Sequence, residues 1–208
     1  MKRKRIGLID YDMGNLRSVE KAFEAAGERP SVSGDPRVLE KASKIVLPGV
    51  GAFRQAMHEL KSRKLIDPIK EKISAGTPYL GLCLGLQLLF SESEEGRRVK
   101  GLGIIEGPVK RFSHKLKVPH MGWNTLKAQK KNCPLFQGVS KDAYFYFVHS
   151  YYGVPDDRSW TLASTDYGVK FCSAVWKGQV YATQFHPEKS QTQGLRMISN
   201  FAKLRAPA

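Results

Sequence analysis

The sequence predicts an α/β fold: a single domain with a mostly parallel central sheet flanked by helices, and antiparallel strands appended in its second half. Three observations carry this. Short apolar runs alternate with stretches of helical periodicity as far as about residue 90, the pattern of right-handed βαβ crossovers. One run, Tyr79-Leu80-Gly81-Leu82, is apolar without alternation, as strands covered on both faces are. From Tyr144 onward, aromatic and β-branched runs follow one another closely, as antiparallel strands do.

The first strand is Ile6-Gly7-Leu8-Ile9-Asp10. In the segment after it, Leu16, Val19, Phe23 and Ala26 recur at helical spacing, and Gly27 and Pro30 end the helix. Lys44-Ile45-Val46-Leu47 is a second strand, stopped by Pro48-Gly49-Val50-Gly51. Helices over Phe53 to Leu60 and Ile66 to Ala75 precede the strand Tyr79 to Leu82, and a helix from Leu84 to Ser91 follows it. Tyr144 to Val148, Trp160 to Ala163, Ser173 to Trp176 and Val180 to Phe185 read as antiparallel strands, with Lys177-Gly178-Gln179 as a hairpin turn. Leu195, Ile198, Phe201 and Leu204 give a last helix that packs back on the core. No repeat or linker divides the chain, so one domain over residues 1–208 is expected.

Composition narrows the function classes. A hydrophobic share of 41% and a charged share of 25% exclude a disordered or low-complexity chain. No apolar run reaches the roughly 18–20 residues of a membrane span, and Asp10 and Asp12 interrupt the N-terminal run too early for a secretory leader. Cys83, Cys133 and Cys172 are odd in number and lack CxxC spacing, which suits a reducing compartment, and a cytoplasmic protein is expected. The net charge is +15, from 34 Lys and Arg against 19 Asp and Glu. Only residues 1–5 form a dense basic run, so solubility or an acidic protein partner explains the excess better than nucleic acid does.

The strongest local signal is Gly81-Leu82-Cys83-Leu84-Gly85 between a buried strand and a helix. A G-x-C-x-G turn can present a nucleophile at the top of a sheet, with the next backbone N–H facing the substrate oxygen, and a helix N-terminus beyond it favours a thiolate. A cysteine there is either that nucleophile or a small buried side chain. Gln184-Phe185-His186-Pro187-Glu188 supplies a base and an orienting carboxylate, since residues two apart in extended chain point the same way. Pro48-Gly49-Val50-Gly51 ends a strand where open α/β sheets place ligands; it is either an ordinary glycine turn or a set of N–H donors for an oxyanion. His58, His114, His120, His149 and His186 show no ligand spacing and no dinucleotide fingerprint is present, so neither metal nor cofactor is expected.

With Asp10-Tyr11-Asp12-Met13-Gly14-Asn15-Leu16, Pro119-His120-Met121-Gly122-Trp123-Asn124 and Tyr146-Phe147-Val148-His149-Ser150-Tyr151, these motifs make the chain resemble the class I (triad) glutamine amidotransferases nearly end to end. The resemblance implies Cys83 as nucleophile, His186 as general base and acid, and Glu188 as the residue orienting that histidine. It implies an oxyanion hole from the backbone of Gly49, Val50, Gly51 and Leu84. Gln87 and Glu95, helped by Ser150 and Tyr151, match glutamine-holding positions. Trp123, Tyr146 and Lys189 match positions facing a partner or the ammonia passage, although Tyr146 also reads as a plain strand aromatic and Lys189 as a solvated charge.

The activity so implied is hydrolysis of glutamine to glutamate and ammonia, with ammonia passed to a (β/α)8-barrel cyclase in a heterodimer. That cyclase makes imidazole glycerol phosphate and an aminoimidazole carboxamide ribotide for histidine synthesis. Resemblance also implies a glutaminase that is nearly silent alone and switched on by its partner. A cysteine hydrolase acting on peptides or thioesters, a basic nucleic-acid module, or a glutaminase serving pyridoxal phosphate or guanylate synthesis are the readings that compete with it.

Overall fold

Five parallel strands form the centre of the molecule; the chain enters next to one edge of the sheet, steps out to that edge and then crosses the parallel strands in order. The computed structural model describes residues 5–113, 115–128, 130 and 132–204, so most of the basic N-terminal run and His114 lie outside the described residues. The first half runs β1 (Ile6–Ile9), α1 (Leu16–Ala25), β2 (Ser31–Ser33), α2 (Pro36–Glu40), β3 (Lys44–Leu47), α3 (Phe53–Ser62), α4 (Ile66–Ser74), β4 (Tyr79–Leu82) and α5 (Leu84–Gln87). Then come β5 (Phe90–Ser93), β6 (Val99–Lys100), β7 (Ile105–Arg111), β8 (His120–Thr125), β9 (Lys127–Ala128), β10 (Tyr144–His149) and β11 (Tyr151–Gly153). The chain closes with β12 (Thr161–Asp166), β13 (Lys170–Lys177), β14 (Val180–Thr183) and α6 (Gln191–Lys203).

The main sheet has the order β2-β1-β3-β4-β14-β13-β12-β9. Pairing is parallel from β2 to β14 and antiparallel from β14 to β9. Each central strand is buried on both faces, which is why its sequence does not alternate. Leu8, Val46, Leu80 and Tyr181 pack on one side with Phe23 of α1 and Ile198 and Phe201 of α6. Ile9, Ile45, Leu47, Tyr79 and Ala182 pack on the other with Phe53, Leu60 and Ile69 of α3 and α4. Each large side chain so buried is worth about 1.5–3 kcal/mol.

Four features differ from the sequence expectation. Val180–Thr183 is the fifth parallel strand, lying between β4 and β13, rather than an appended antiparallel one; it makes a hairpin with β13 and still runs parallel to β4. Tyr144–His149 leaves the main sheet and pairs with β8. The helix after Cys83 stops at Gln87, because Phe90–Ser93 extends to pair with β7 and β6. In α6 the buried stripe is Gly194, Met197, Ile198, Phe201 and Ala202, whereas Leu195 faces solvent.

The consequence for function is that β3, β4 and β14 end side by side. Leu47 pairs with Gly81 and Thr183 with Leu82, so the Pro48–Gly51 turn, Cys83 and the Gln184–Glu188 segment leave the same edge of the sheet.

Candidate active site

Cys83 occupies a backbone conformation that non-glycine residues rarely adopt, φ 54° and ψ −104°. A 2.7 Å hydrogen bond from its N–H to the Thr183 carbonyl holds it there. The flanking glycines are required by space: a Cβ on Gly81 would stand 2.5 Å from the Gly85 carbonyl oxygen, and one on Gly85 would stand 1.9 Å from that of Leu47. The turn therefore presses the Cys83 loop onto β3. With α5 limited to four residues, helix-dipole support for a thiolate is weaker than the sequence suggested.

His186 and Glu188 are fixed in a buried pair, Nδ1 to Oε1 2.8 Å, with side chains 3% and 2% exposed. A carboxylate only accepts, so Nδ1 carries the proton and Nε2 is left facing Cys83 without a hydrogen-bond partner among the described residues. Burial opposes an imidazolium, but the Cys83 charge and then hydrogen bonding, from Glu188 foremost by geometry, outweigh it and push His186 up to about 10. Because Nε2 makes no formed bond, Cys83 acts on it by charge. The backbone is pinned as well: His186 N–H donates to the Tyr146 carbonyl at 2.9 Å, and Ser190 Oγ donates to the His186 carbonyl at 2.6 Å.

Cys83, Leu84, Gln87, Glu95, Ser150, Tyr151 and His186 line one cavity of about 330 Å³ together with Val50 and Gly51. That is at the small end of ligand pockets, which span about 300–1,000 Å³. A larger cavity of about 670 Å³, bounded by Leu126, Cys133, Phe136 and Phe145, holds none of these groups. Within the smaller one, Gln87 Nε2 donates to the Tyr151 carbonyl at 2.9 Å and to Gln184 Oε1 at 3.0 Å, so its own Oε1 is what it can offer a ligand. Glu95 Oε2 accepts the first N–H of α3, from Phe53, at 2.8 Å.

The N–H groups expected to bind an oxyanion are engaged elsewhere. Val50 N–H donates to the Met13 carbonyl at 2.8 Å, and Leu84 N–H donates to the Gly49 carbonyl at 3.4 Å. The Tyr11 hydroxyl, buried and pushed up by that burial, donates to the Pro48 carbonyl at 2.8 Å.

Residues 8–204 match the family described as glutamine amidotransferase class-I. The chain belongs to the class I glutamine amidotransferases. It is 52% identical to the "Imidazole glycerol phosphate synthase subunit HisH" of Syntrophotalea carbinolica, over 96% of this chain and 100% of that protein. It is 50% identical to the protein of the same name from Geobacter sulfurreducens, over 97% and 99%. Among solved structures, one titled "Crystal structure of glutamine amidotransferase" superposes with a TM-score of 0.75 at 20% identity, over 96% of this chain and 99% of that one. "Structure of PurLQS from Thermotoga maritima" gives 0.74 at 19%, over 94% and 95%. These last two share the fold.

In this class I glutamine amidotransferase, Trp123, Tyr146 and Lys189 lie outside the cavity, with Trp123 and Lys189 each against the Tyr146 ring. Lys189 Nζ sits 5.9 Å above the Tyr146 ring, and Trp123 meets that ring edge-on at 5.9 Å. Several residues with no role assigned from sequence prove central. Gln184, fully buried, donates from Nε2 toward Cys83 Sγ at 3.7 Å. It lies two residues before His186, and extending the two-residue spacing backwards would have found it. His120 and His149 face each other across β8 and β10, Nδ1 to Nε2 2.9 Å. Met13 contributes a backbone carbonyl, which leaves no trace in side-chain chemistry.

Proposed function

We propose that this chain is the glutaminase subunit of an imidazole glycerol phosphate synthase and works in the cytoplasm. It hydrolyses glutamine and delivers the ammonia to a (β/α)8-barrel cyclase. One observation carries the chemical part: a strained cysteine turn and a buried His–Glu pair meet in one small cavity. The relatives from Syntrophotalea carbinolica and Geobacter sulfurreducens, both named as that synthase's subunit, support the choice of pathway.

With the Cys83 proton resting on His186 Nε2, the sulfur attacks the side-chain amide carbon of glutamine. The amide oxygen becomes an oxyanion, which Leu84 N–H and a reoriented Gly49–Val50 peptide stabilise. Collapse breaks the C–N bond, His186 gives its proton to the departing nitrogen, and a γ-glutamyl thioester and ammonia result. Water, deprotonated by His186, releases glutamate and restores the thiol. Glu188 holds the imidazole in the required tautomer throughout. Gln87 Oε1 and Glu95 hold the amino-acid end of the substrate, beside Ser150 and Tyr151.

The cyclase docks on the outer face of the β8–β10 pair, where Met121, Trp123 and Tyr144 are 64%, 47% and 59% exposed. Adjacent large apolar side chains left in solvent mark an interaction surface. The test is Cys83→Ser in the complex with the cyclase. Glutamine-dependent synthesis should vanish while synthesis from added ammonium salt persists; loss of both would make Cys83 structural.

A further inference from the structure

We propose that Gln184 is a further catalytic residue, donating an amide N–H to the Cys83 sulfur, and that Gln87 and the Tyr151 carbonyl set the polarity of that amide. The inference rests on Cys83 being the nucleophile and adds the group that steadies its charge.

Donor and acceptor chemistry fixes the orientation of both amides. A backbone carbonyl can only accept, so the group within 2.9 Å of the Tyr151 oxygen must be the Gln87 NH2. The same NH2 reaches Gln184, 3.0 Å away, and the atom it meets must therefore be Oε1. That leaves the Gln184 NH2 turned to the remaining neighbour, Cys83 Sγ, at 3.7 Å. Flipping Gln184 would set NH2 against NH2 on one side and a carbonyl oxygen against sulfur on the other. Flipping Gln87 would set its oxygen against that of Tyr151. Only one polarity satisfies the chain.

Two further contacts bias it. His149 Nδ1 lies 2.8 Å from the same Tyr151 oxygen and must also donate, so that carbonyl is doubly anchored. Gln184 is wholly buried, so water does not compete for its NH2. As a thiol, Cys83 can direct its S–H to the Val148 carbonyl at 3.9 Å. Once the proton has moved to His186 Nε2, the sulfur is an anion, and an N–H aimed at it favours that state. Hydrogen bonds to charged groups are the stronger kind.

The test measures alkylation of Cys83 by iodoacetamide in the full-length chain, followed by peptide mass mapping. Gln184→Met should lower the rate at pH 7 about tenfold and leave the rate near pH 10 within about twofold, since the loss concerns the thiolate population and not access. Gln87→Met should slow it severalfold at pH 7, and the double variant should be no slower than Gln184→Met, because without an amide at 184 nothing remains to orient. Should Gln184→Met fail to fold, Gln184→Leu, which likewise has no N–H to donate, carries the same expectation. Unchanged rates at pH 7, equal losses at both pH values, or additive effects in the double variant would each overturn the proposal. Failure of the wild-type complex to hydrolyse glutamine would overturn the glutaminase reading and leave these alkylation results standing.

Discussion

The N–H of Leu84 is bonded to the carbonyl of Gly49, 3.4 Å away, so the turn that should help bind an oxyanion instead fills the place with an oxygen of its own. Val50 N–H meanwhile points to Met13 at 2.8 Å, and Tyr11 grips the Pro48 carbonyl. Rotating the Gly49–Val50 peptide, about Gly49 ψ and Val50 φ, would exchange the obstructing carbonyl for a donor, and a glycine at 49 leaves that ψ free to change. One missing oxyanion donor costs roughly 100- to 1,000-fold in turnover. The isolated chain should therefore hydrolyse glutamine at least about 100-fold more slowly than the complex with the cyclase and its ligand. Equal steady-state rates would show that the turn is already competent.

An electrophilic glutamine analogue should label Cys83 alone. Cys133 and Cys172 are both buried away from the cavity, and burial pushes their thiols up to about 11, leaving little thiolate near neutral pH. Mass mapping that finds the adduct on either of them would contradict the assignment.

Glu188→Gln keeps the shape of the buried pair but removes its charge and permits the wrong imidazole tautomer. General acid–base catalysis contributes about 10²- to 10⁴-fold, and turnover in the complex should fall within that range while KM for glutamine changes little. A fall confined to KM would move Glu188 from the proton-transfer chain to substrate binding.

How much of this was legible in the sequence follows from where each signal resides. β1, β3, β4 and α1 were plain because burial on two faces, or on one helical stripe, writes itself into residue order. β5 was not, since Leu86-Gln87-Leu88-Leu89-Phe90 is equally good as buried helix or strand, and pairing with β7 decides it. That β14 runs parallel to β4 depends on a crossover no local pattern records. α2 was not read from the sequence; in the structure Arg37 N–H donates to the Asp35 side chain at 2.9 Å, an N-cap followed by proline at the first helical position. Of the candidate site, the turn around Cys83 and the His186–Glu188 pair were readable because the spacing within each motif is local, whereas their meeting across 103 residues depends on β4 and β14 lying side by side. The His120–His149 pair was not, because it needs the register of β8 against β10.

That pair has a measurable signature. His149 Nδ1 donates to Tyr151, its Nε2 then accepts from His120, and both rings are neutral. Burial holds His120 down at about 4, and burial together with the His120 and His186 charges holds His149 down at about 3. Unfolded histidines titrate near 6.5, so this contribution to stability is fully present above that pH and is lost as pH falls through 6.5 towards 4 and 3. His186, raised in the fold, is protonated in both states throughout that window and adds no slope. Urea unfolding between pH 5.5 and 4.5 should therefore be less pH-dependent in His149→Gln than in the wild type, by about 1.4 kcal/mol per pH unit, the value for one proton. Parallel slopes would mean that His149 is already charged in the fold.

The contact of Lys189, Tyr146 and Trp123 gives the last prediction, which separates docking from activation. Trp123 stands half in solvent beside Met121, as a docking anchor would, and burying such an anchor commonly contributes 2 kcal/mol or more, about 30-fold in affinity. Trp123→Ala should weaken the complex by about that factor in titration calorimetry. Lys189 differs: its ammonium lies over Tyr146, whose backbone accepts from His186 N–H at 2.9 Å and donates to Ser190 Oγ at 3.0 Å, and whose ring centre is 6.5 Å from that of His186. A partner that displaces Trp123 is expected to shift the ring beside Lys189 and, through the Tyr146 backbone's bonds to His186 N–H and Ser190 Oγ, the segment that carries His186. Lys189→Ala should bind the cyclase nearly as well as the wild type and yet lose most of the ligand-stimulated glutamine hydrolysis. If it binds poorly and keeps full stimulation when saturated, Lys189 is a docking residue and the path to His186 runs elsewhere.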